Sequence, residues 1–122
     1  MSLRVLIVDD LEFMRTVIRE ILEQAGFEIA GEAVDGEEGV AMFNRLKPDL
    51  VLMDITMPVM DGIEALQQIK KHHQGATVIM CSALGQQEYI IKAIQFGARD
   101  FVVKPFNPER IISAIHKATY NA

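Results

Sequence analysis

Five short apolar runs, separated by longer stretches of helical period, constrain this chain more than any other feature. The runs are Val5-Leu6-Ile7-Val8, Glu28 to Val34, Leu50-Val51-Leu52-Met53, Ala76 to Met80, and Phe101-Val102-Val103. Four of them are nearly continuous rather than alternating, as strands buried on both faces of a parallel sheet should be. The second is broken by Gly31 and Glu32 and reads as an edge strand. Between the runs, apolar residues recur every three or four positions. Val17, Ile18, Ile21, Leu22 and Ala25 predict a first helix from Met14, stopped by Gly26. Asp35-Gly36 opens a second, through Val40 and Phe43, and Asp61-Gly62 opens a third, through Ile63, Leu66 and Ile69. A fourth runs from Gln86 to Phe96, closed by Gly97. The fifth starts at Asn107-Pro108 and carries Ile111, Ile112 and Ile115. Five such units joined by right-handed crossovers predict one α/β domain over residues 1–122, a doubly wound parallel sheet with helices on both faces.

Ligands of such a sheet bind outside the carboxyl ends of its strands, so the residues there decide the function. Strand one ends in Asp9-Asp10, strand three in Asp54, strand four in Cys81-Ser82 and strand five in Lys104-Pro105. Three carboxylates, a hydroxyl and an ammonium thus converge on one edge. An aspartate ending a strand is often only a helix cap, but caps do not account for all five groups together. Neighbouring anions repel strongly out of water, so the cluster calls for a cation. Oxygen ligands without His or Cys beside them favour Mg²⁺, with Mn²⁺ as the alternative. Such a pocket suits a phosphoryl group, held by the metal, Lys104 and the Ser82 hydroxyl. Asp54, from a central strand, is the candidate nucleophile that would form an aspartyl phosphate. Asp10 would ligate the metal directly, and Asp9 directly or through water.

Composition narrows the rest. With 17 acidic against 12 basic residues the formal charge is −5, which argues against a nucleic-acid surface. The one cysteine, Cys81, cannot form an internal disulfide and points to a reducing, cytoplasmic setting. Strand alternation is expected to aim it away from the site. No apolar run is long enough to span a bilayer. The fourth helix has an apolar arc broader than packing on a sheet requires, with only Glu88, Lys92 and Gln95 as a polar stripe. Ile90 and Ile94, with Phe101, are the candidate partner-docking ridge. His72, His73 and His116 have no second ligand at metal spacing and read as solvated surface residues. The methionines read as core filler.

Val8-Asp9-Asp10, the segment Met53-Asp54-Ile55-Thr56-Met57-Pro58-Val59-Met60-Asp61-Gly62, Ser82-Ala83 and Val103-Lys104-Pro105-Phe106 resemble the receiver domain of two-component response regulators. The match runs over essentially the whole chain. The stretches Ser82 to Gln87 and Lys104 to Pro108 are most similar to the stand-alone chemotaxis regulators of that family. The resemblance implies a flavodoxin-like (βα)5 sandwich with strand order 2-1-3-4-5. It implies that Asp54 accepts a phosphoryl group from a histidine kinase of the CheA type. Asp9, Asp10, Asp54 and the Thr56 main-chain carbonyl would place Mg²⁺. Ser82 would move to the phosphoryl group, Phe101 would turn inward behind it, and Lys104 would pair with it across a cis Lys104–Pro105 bond. The protein would then be a monomeric switch rather than an enzyme in its own right, read by a flagellar motor switch protein. Thr56 and Leu84 depart from the relatives that lose phosphate quickly, since neither positions water well. That implies a longer-lived phosphoryl group and removal by a CheC/CheX-type phosphatase.

Two readings of another class fare worse. A haloacid-dehalogenase-type aspartyl phosphatase needs a second Asp two residues after the nucleophile, where this chain has Thr56. A flavin carrier needs a phosphate-binding loop after strand one, where Asp9-Asp10 would repel the anion. The chain ends at Ala122 with no DNA-binding module in view, which favours a stand-alone regulator. The alternative is a receiver from a longer transcriptional regulator or a relay protein of another pathway.

Overall fold

The computed structural model describes residues 2–83 and 85–120, the side chain of Tyr120 excepted. Strands and helices alternate along it: β1 (Arg4–Val8), α1 (Glu12–Gln24), β2 (Glu28–Ala33), α2 (Gly36–Leu46), β3 (Leu50–Asp54), α3 (Gly62–His72), β4 (Val78–Ser82), α4 (Gln87–Gln95), β5 (Asp100–Val103) and α5 (Pro108–Tyr120). All strand pairings are parallel and the order is β2-β1-β3-β4-β5, the flavodoxin-like arrangement, with β2 at an edge as its broken pattern predicts.

Two apolar layers hold the sandwich together, because alternate residues of each strand leave opposite faces of the sheet. Val5, Ile7, Leu50, Leu52 and Ile79 pack with Ile18 and Leu22 of α1 and Ile111 and Ile115 of α5. Leu6, Val8, Val51, Met53 and Met80 face Phe43 of α2, Leu66 and Ile69 of α3, and Ala93 of α4. Met53, Met57 and Met80 are buried in this second layer, as core filler should be.

Helix starts follow local chemistry. Asp35 and Asp61 accept the backbone N–H of Glu38 and Glu64, both at 2.8 Å, and Asn107 accepts that of Arg110 at 2.8 Å. Glu38 in turn accepts the N–H of Val34, the residue before that cap, at 3.2 Å. α1 begins at Glu12, two residues before the expected Met14. The strand-end aspartate itself supplies the reason: Asp9 Oδ1 accepts the Leu11 N–H at 2.9 Å and turns the chain at once into the helix. β4 starts at Val78 rather than Ala76 and runs through Ser82. β2 stops at Ala33, leaving Val34 exposed. Between β1 and β2 the register slips by one residue, Val5 facing Ile29 and Leu6 facing Gly31, so Ala30 is the extra residue.

Candidate functional site

Strand register brings the site together. Val8 lies opposite Met53 and Asp54 opposite Cys81, and the ladder continues past the strands through Asp9 N–H to Ala33 O, Ile55 N–H to Cys81 O and Lys104 N–H to Ser82 O. Asp9, Asp10 and Asp54 therefore meet at the carboxyl edge, each offering an oxygen within 4.8 Å of the others. Asp9 and Asp54 are buried, whereas Asp10 is exposed at the mouth.

Lys104 reaches into this cluster from beyond β5. Its Nζ donates to Asp9 Oδ2 at 2.9 Å and stands 3.3 Å from Asp54 Oδ1. The Lys104–Pro105 peptide bond is cis, as the resemblance implies. Burial is the main influence on Asp54 and pushes its carboxyl up to about 6; Lys104 opposes that shift, and the Asp9 charge adds to it. For Lys104, burial pulls the ammonium down, but the Asp9 hydrogen bond and the Asp54 and Asp9 charges outweigh it and hold the group above the ordinary lysine range. Among the described residues the pocket thus sets three carboxylates around the Lys104 ammonium.

Ser82 is fully buried, and its hydroxyl has no hydrogen-bond partner among the described residues. A buried hydroxyl left unpaired costs about 1–3 kcal/mol, so its placement asks for an acceptor. Register explains the separation: Ser82 pairs with Val103, one position beyond the Cys81–Val102 pair, and so leaves the sheet on the α3–α4 side. Phe101, opposite Met80, is on that same side and half-buried. Serine and aromatic ring thus share one face, with Asp54 and Lys104 on the other.

The same register corrects one expectation. Alternation does set Cys81 opposite to Ser82, but it places the thiol on the face of its pairing partner Asp54, beneath the carboxylates rather than away from them. Burial pushes that thiol far above its usual range, so it stays protonated and inert.

Glycines let the loops close tightly round Asp54. A Cβ at Gly62 would sit 2.0 Å from the Asp54 carbonyl oxygen, and the Gly62 N–H donates to Ile55 O at 2.7 Å. Gly36 meets the Met60 carbonyl in the same way, with a would-be Cβ at 2.4 Å. Between them Val59 adopts φ +70°, a left-handed conformation that a β-branched residue tolerates poorly.

Thr56 lies exposed two residues after Asp54, and its Oγ1 accepts from Gln86 Nε2 at 2.8 Å. Gln86 Oε1 in turn accepts the Ala83 N–H at 2.7 Å. Leu84, expected beside Thr56, lies outside the described residues. Sequence reasoning assigned no role to Gln86. It also missed Arg15, which donates to the Asp9 carbonyl at 2.7 Å and pairs with Glu32 at 3.3 Å. Glu32 was visible as the break in strand two, and Arg15 and Arg19 are the partners that account for it.

The expected ridge on α4 is redistributed. Ile90 is half-buried against the sheet, whereas Ile91 and Ile94 are 59% and 46% exposed, with Tyr89 and Phe96 exposed on either side. A cavity of about 350 Å³ opens between Ala83, Gln86, Ile90, Ile91, Phe101 and Val103. Of the three histidines, His72 and His116 are exposed as expected, the latter edge-on to Phe27, whereas His73 is half-buried, bonds Asn44 at 2.9 Å and tilts against Phe43.

Residues 5–116 match the response regulator receiver domain. The chain is 52% identical to the chemotaxis protein CheY of Thermotoga maritima over 119 residues, which are 98% of this chain and 99% of that one. It is 54% identical to CheY of Bacillus subtilis over 117 residues, 96% and 98% of the two chains. Among solved structures, the CheX–CheY–BeF3–Mg²⁺ complex from Borrelia burgdorferi superposes with a TM-score of 0.91 at 38% identity, over 94% of this chain and 87% of the other.

Proposed function

This chain belongs to the response regulator receiver domain family, and from that premise we propose that it is a CheY-type phosphorylation switch controlling the flagellar motor. The observation that carries the reading is the Lys104 ammonium held between the buried Asp9 and Asp54 carboxylates, with Asp10 at the mouth.

In this reading Asp54 attacks the phosphorus of a phosphohistidine on a CheA-type kinase. A P–O bond forms on the carboxylate oxygen, and the P–N bond breaks with its electron pair returning to the imidazole. The donor set fits Mg²⁺, since all its side-chain ligands are carboxylate oxygens, and the orphaned Ser82 hydroxyl at the same edge suits an oxygen of the transferred phosphoryl group rather than the ion. Bound there by Asp9, Asp10, Asp54 and the Thr56 carbonyl, Mg²⁺ would supply charge neutralisation for the transferring phosphoryl oxygens. Lys104 moves its hydrogen bond from carboxylate to phosphoryl oxygen without leaving the site. Ser82 turns toward that group and vacates space on the α3–α4 side, into which the Phe101 ring follows. The α4 face, with Ile91 and Ile94 outward, changes shape and is read by the motor switch protein.

Neither the Thr56 hydroxyl nor an aliphatic Leu84 side chain positions water for hydrolysis, so the phosphoryl group is long-lived and a CheC/CheX-type phosphatase removes it. The complex of the Borrelia relative with CheX supports that partner. Among the described residues no helix is long and apolar enough to cross a membrane, which fits a cytoplasmic site of action.

The test is an NMR titration with beryllofluoride and Mg²⁺, then with an amino-terminal peptide of a flagellar motor switch protein. Shifts at Ser82, Phe101 and Lys104, absent in Asp54→Asn, followed by tighter peptide binding, are expected. Shifts without peptide binding would keep the receiver and replace the motor with another output. No shift at all in the folded protein would overturn the switch.

A further inference from the structure

Gln86 is the only described side chain that ties the β4–α4 loop to the β3–α3 loop at the site by hydrogen bonds at both of its ends. Its Oε1 accepts the Ala83 N–H at 2.7 Å and its Nε2 donates to Thr56 Oγ1 at 2.8 Å. One end thus holds the residue that follows Ser82, and the other holds the residue two places beyond Asp54.

We infer that Gln86 is a latch that keeps the β4–α4 loop in its resting position and thereby sets how readily the site accepts a phosphoryl group. The inference rests on the phosphoacceptor reading above and makes Gln86 a positioning residue, since it acts through Ala83 and Ser82. The Ser82 side chain leaves the sheet on the face opposite Asp54. Bringing its hydroxyl to a group on Asp54 therefore turns the Ser82–Ala83 peptide as well as the side chain, and that rotation redirects the Ala83 N–H away from Gln86. Two further features suit a moving latch. Gly85, immediately before Gln86, sits at φ +89° with nothing within 4 Å of where a Cβ would be. The 350 Å³ cavity that Gln86 itself lines gives the released loop and the Phe101 ring room to rearrange.

The prediction is that weakening the latch makes activation easier. In ligand-free protein, Gln86→Ala should speed hydrogen exchange at the Ala83 amide by about tenfold, because a closed local bond is removed. With Mg²⁺ present, the same variant should bind beryllofluoride about fivefold more tightly, the scale of one lost hydrogen bond. Thr56→Val, which removes only the far anchor, should give about a twofold gain. Added to Gln86→Ala it should give none, because both changes break one bridge.

Unchanged Ala83 exchange in Gln86→Ala would show that the bridge does not form, and would overturn the inference. Faster exchange with equal or weaker beryllofluoride binding would overturn the latch while leaving the receiver intact. If the wild-type protein showed no beryllofluoride response dependent on Asp54, the phosphoacceptor reading would fall, and the latch's role with it. The ligand-free exchange comparison separates that failure from absence of the bridge.

Discussion

The Lys104 ammonium stands 3.3 Å from the Asp54 carboxylate, close enough to oppose what burial does to that group but not to cancel it. Asp54 is left with a carboxyl raised from 3.8 to about 6. An acid whose folded pKa exceeds its unfolded value binds protons more tightly when folded. Its charged form therefore costs stability, and metal-free protein should lose stability as pH rises from about 4 to 6 through this residue. Asp54→Asn should remove that dependence and stabilise the metal-free fold at pH 7 by about 1–3 kcal/mol. Urea melts of both proteins from pH 4 to 7.5 check this; a variant less stable than wild type at pH 7 would contradict it.

Removing the cation instead should do the opposite. Lys104→Ala leaves the buried Asp9 and Asp54 carboxylates facing each other uncompensated, and should cost about 2–4 kcal/mol in metal-free buffer. Added Mg²⁺ should recover more stability in Lys104→Ala than in wild type, since there it meets the larger unbalanced charge. Thermal melts with EDTA and with 10-fold steps of MgCl2 give the comparison. Equal Mg²⁺ gains in both proteins would mean that the ion binds elsewhere.

Val59 offers a test of backbone strain with no charge involved. Its side chain is 76% exposed and its φ is +70°, so little packing compensates the conformation. Val59→Asn, which tolerates the left-handed region, should stabilise the protein by about 1 kcal/mol. Chemical denaturation resolves a change of that size, and a loss of stability would show that Val59 is held by contacts not visible in its exposure.

The α4 surface makes a prediction about binding alone. Ile94 is exposed, so Ile94→Lys should change stability by no more than about 0.5 kcal/mol. In the beryllofluoride-bound state it should weaken motor-switch peptide binding by about tenfold or more, as loss of an apolar anchor does. Full retention of binding would move the docking face away from α4.

The fold was legible because β1, β3 and β4 are buried on both faces, which writes them into the sequence as unbroken apolar runs. The carboxyl edge was legible for the same reason: the polar residues that end those runs have nowhere else to go. What the sequence could not show depended on side-chain direction at the strand ends. The face taken by Cys81 is set by its register with Asp54, not by its distance along the chain from Ser82. Ile90 and Ile91 are neighbours on an arc that looks uniformly apolar, and only the tilt of α4 on the sheet decides that the first packs inward and the second outward. Gln86 is a polar loop residue of a common kind. Its bridge spans 30 positions to Thr56 and leaves no local pattern.

The unpaired Ser82 hydroxyl bears on more than geometry. A natural fold is largely free of internal conflict, each local preference agreeing with the whole. At Ser82 the resting conformation is frustrated, since a polar group is fully buried on the apolar side of the sheet with no bonding partner among the described residues. Under the proposed function, arrival of a phosphoryl oxygen resolves the conflict rather than creating one. The resting state is then the tensed member of the pair, and the chemical mark releases a preference already present in the chain.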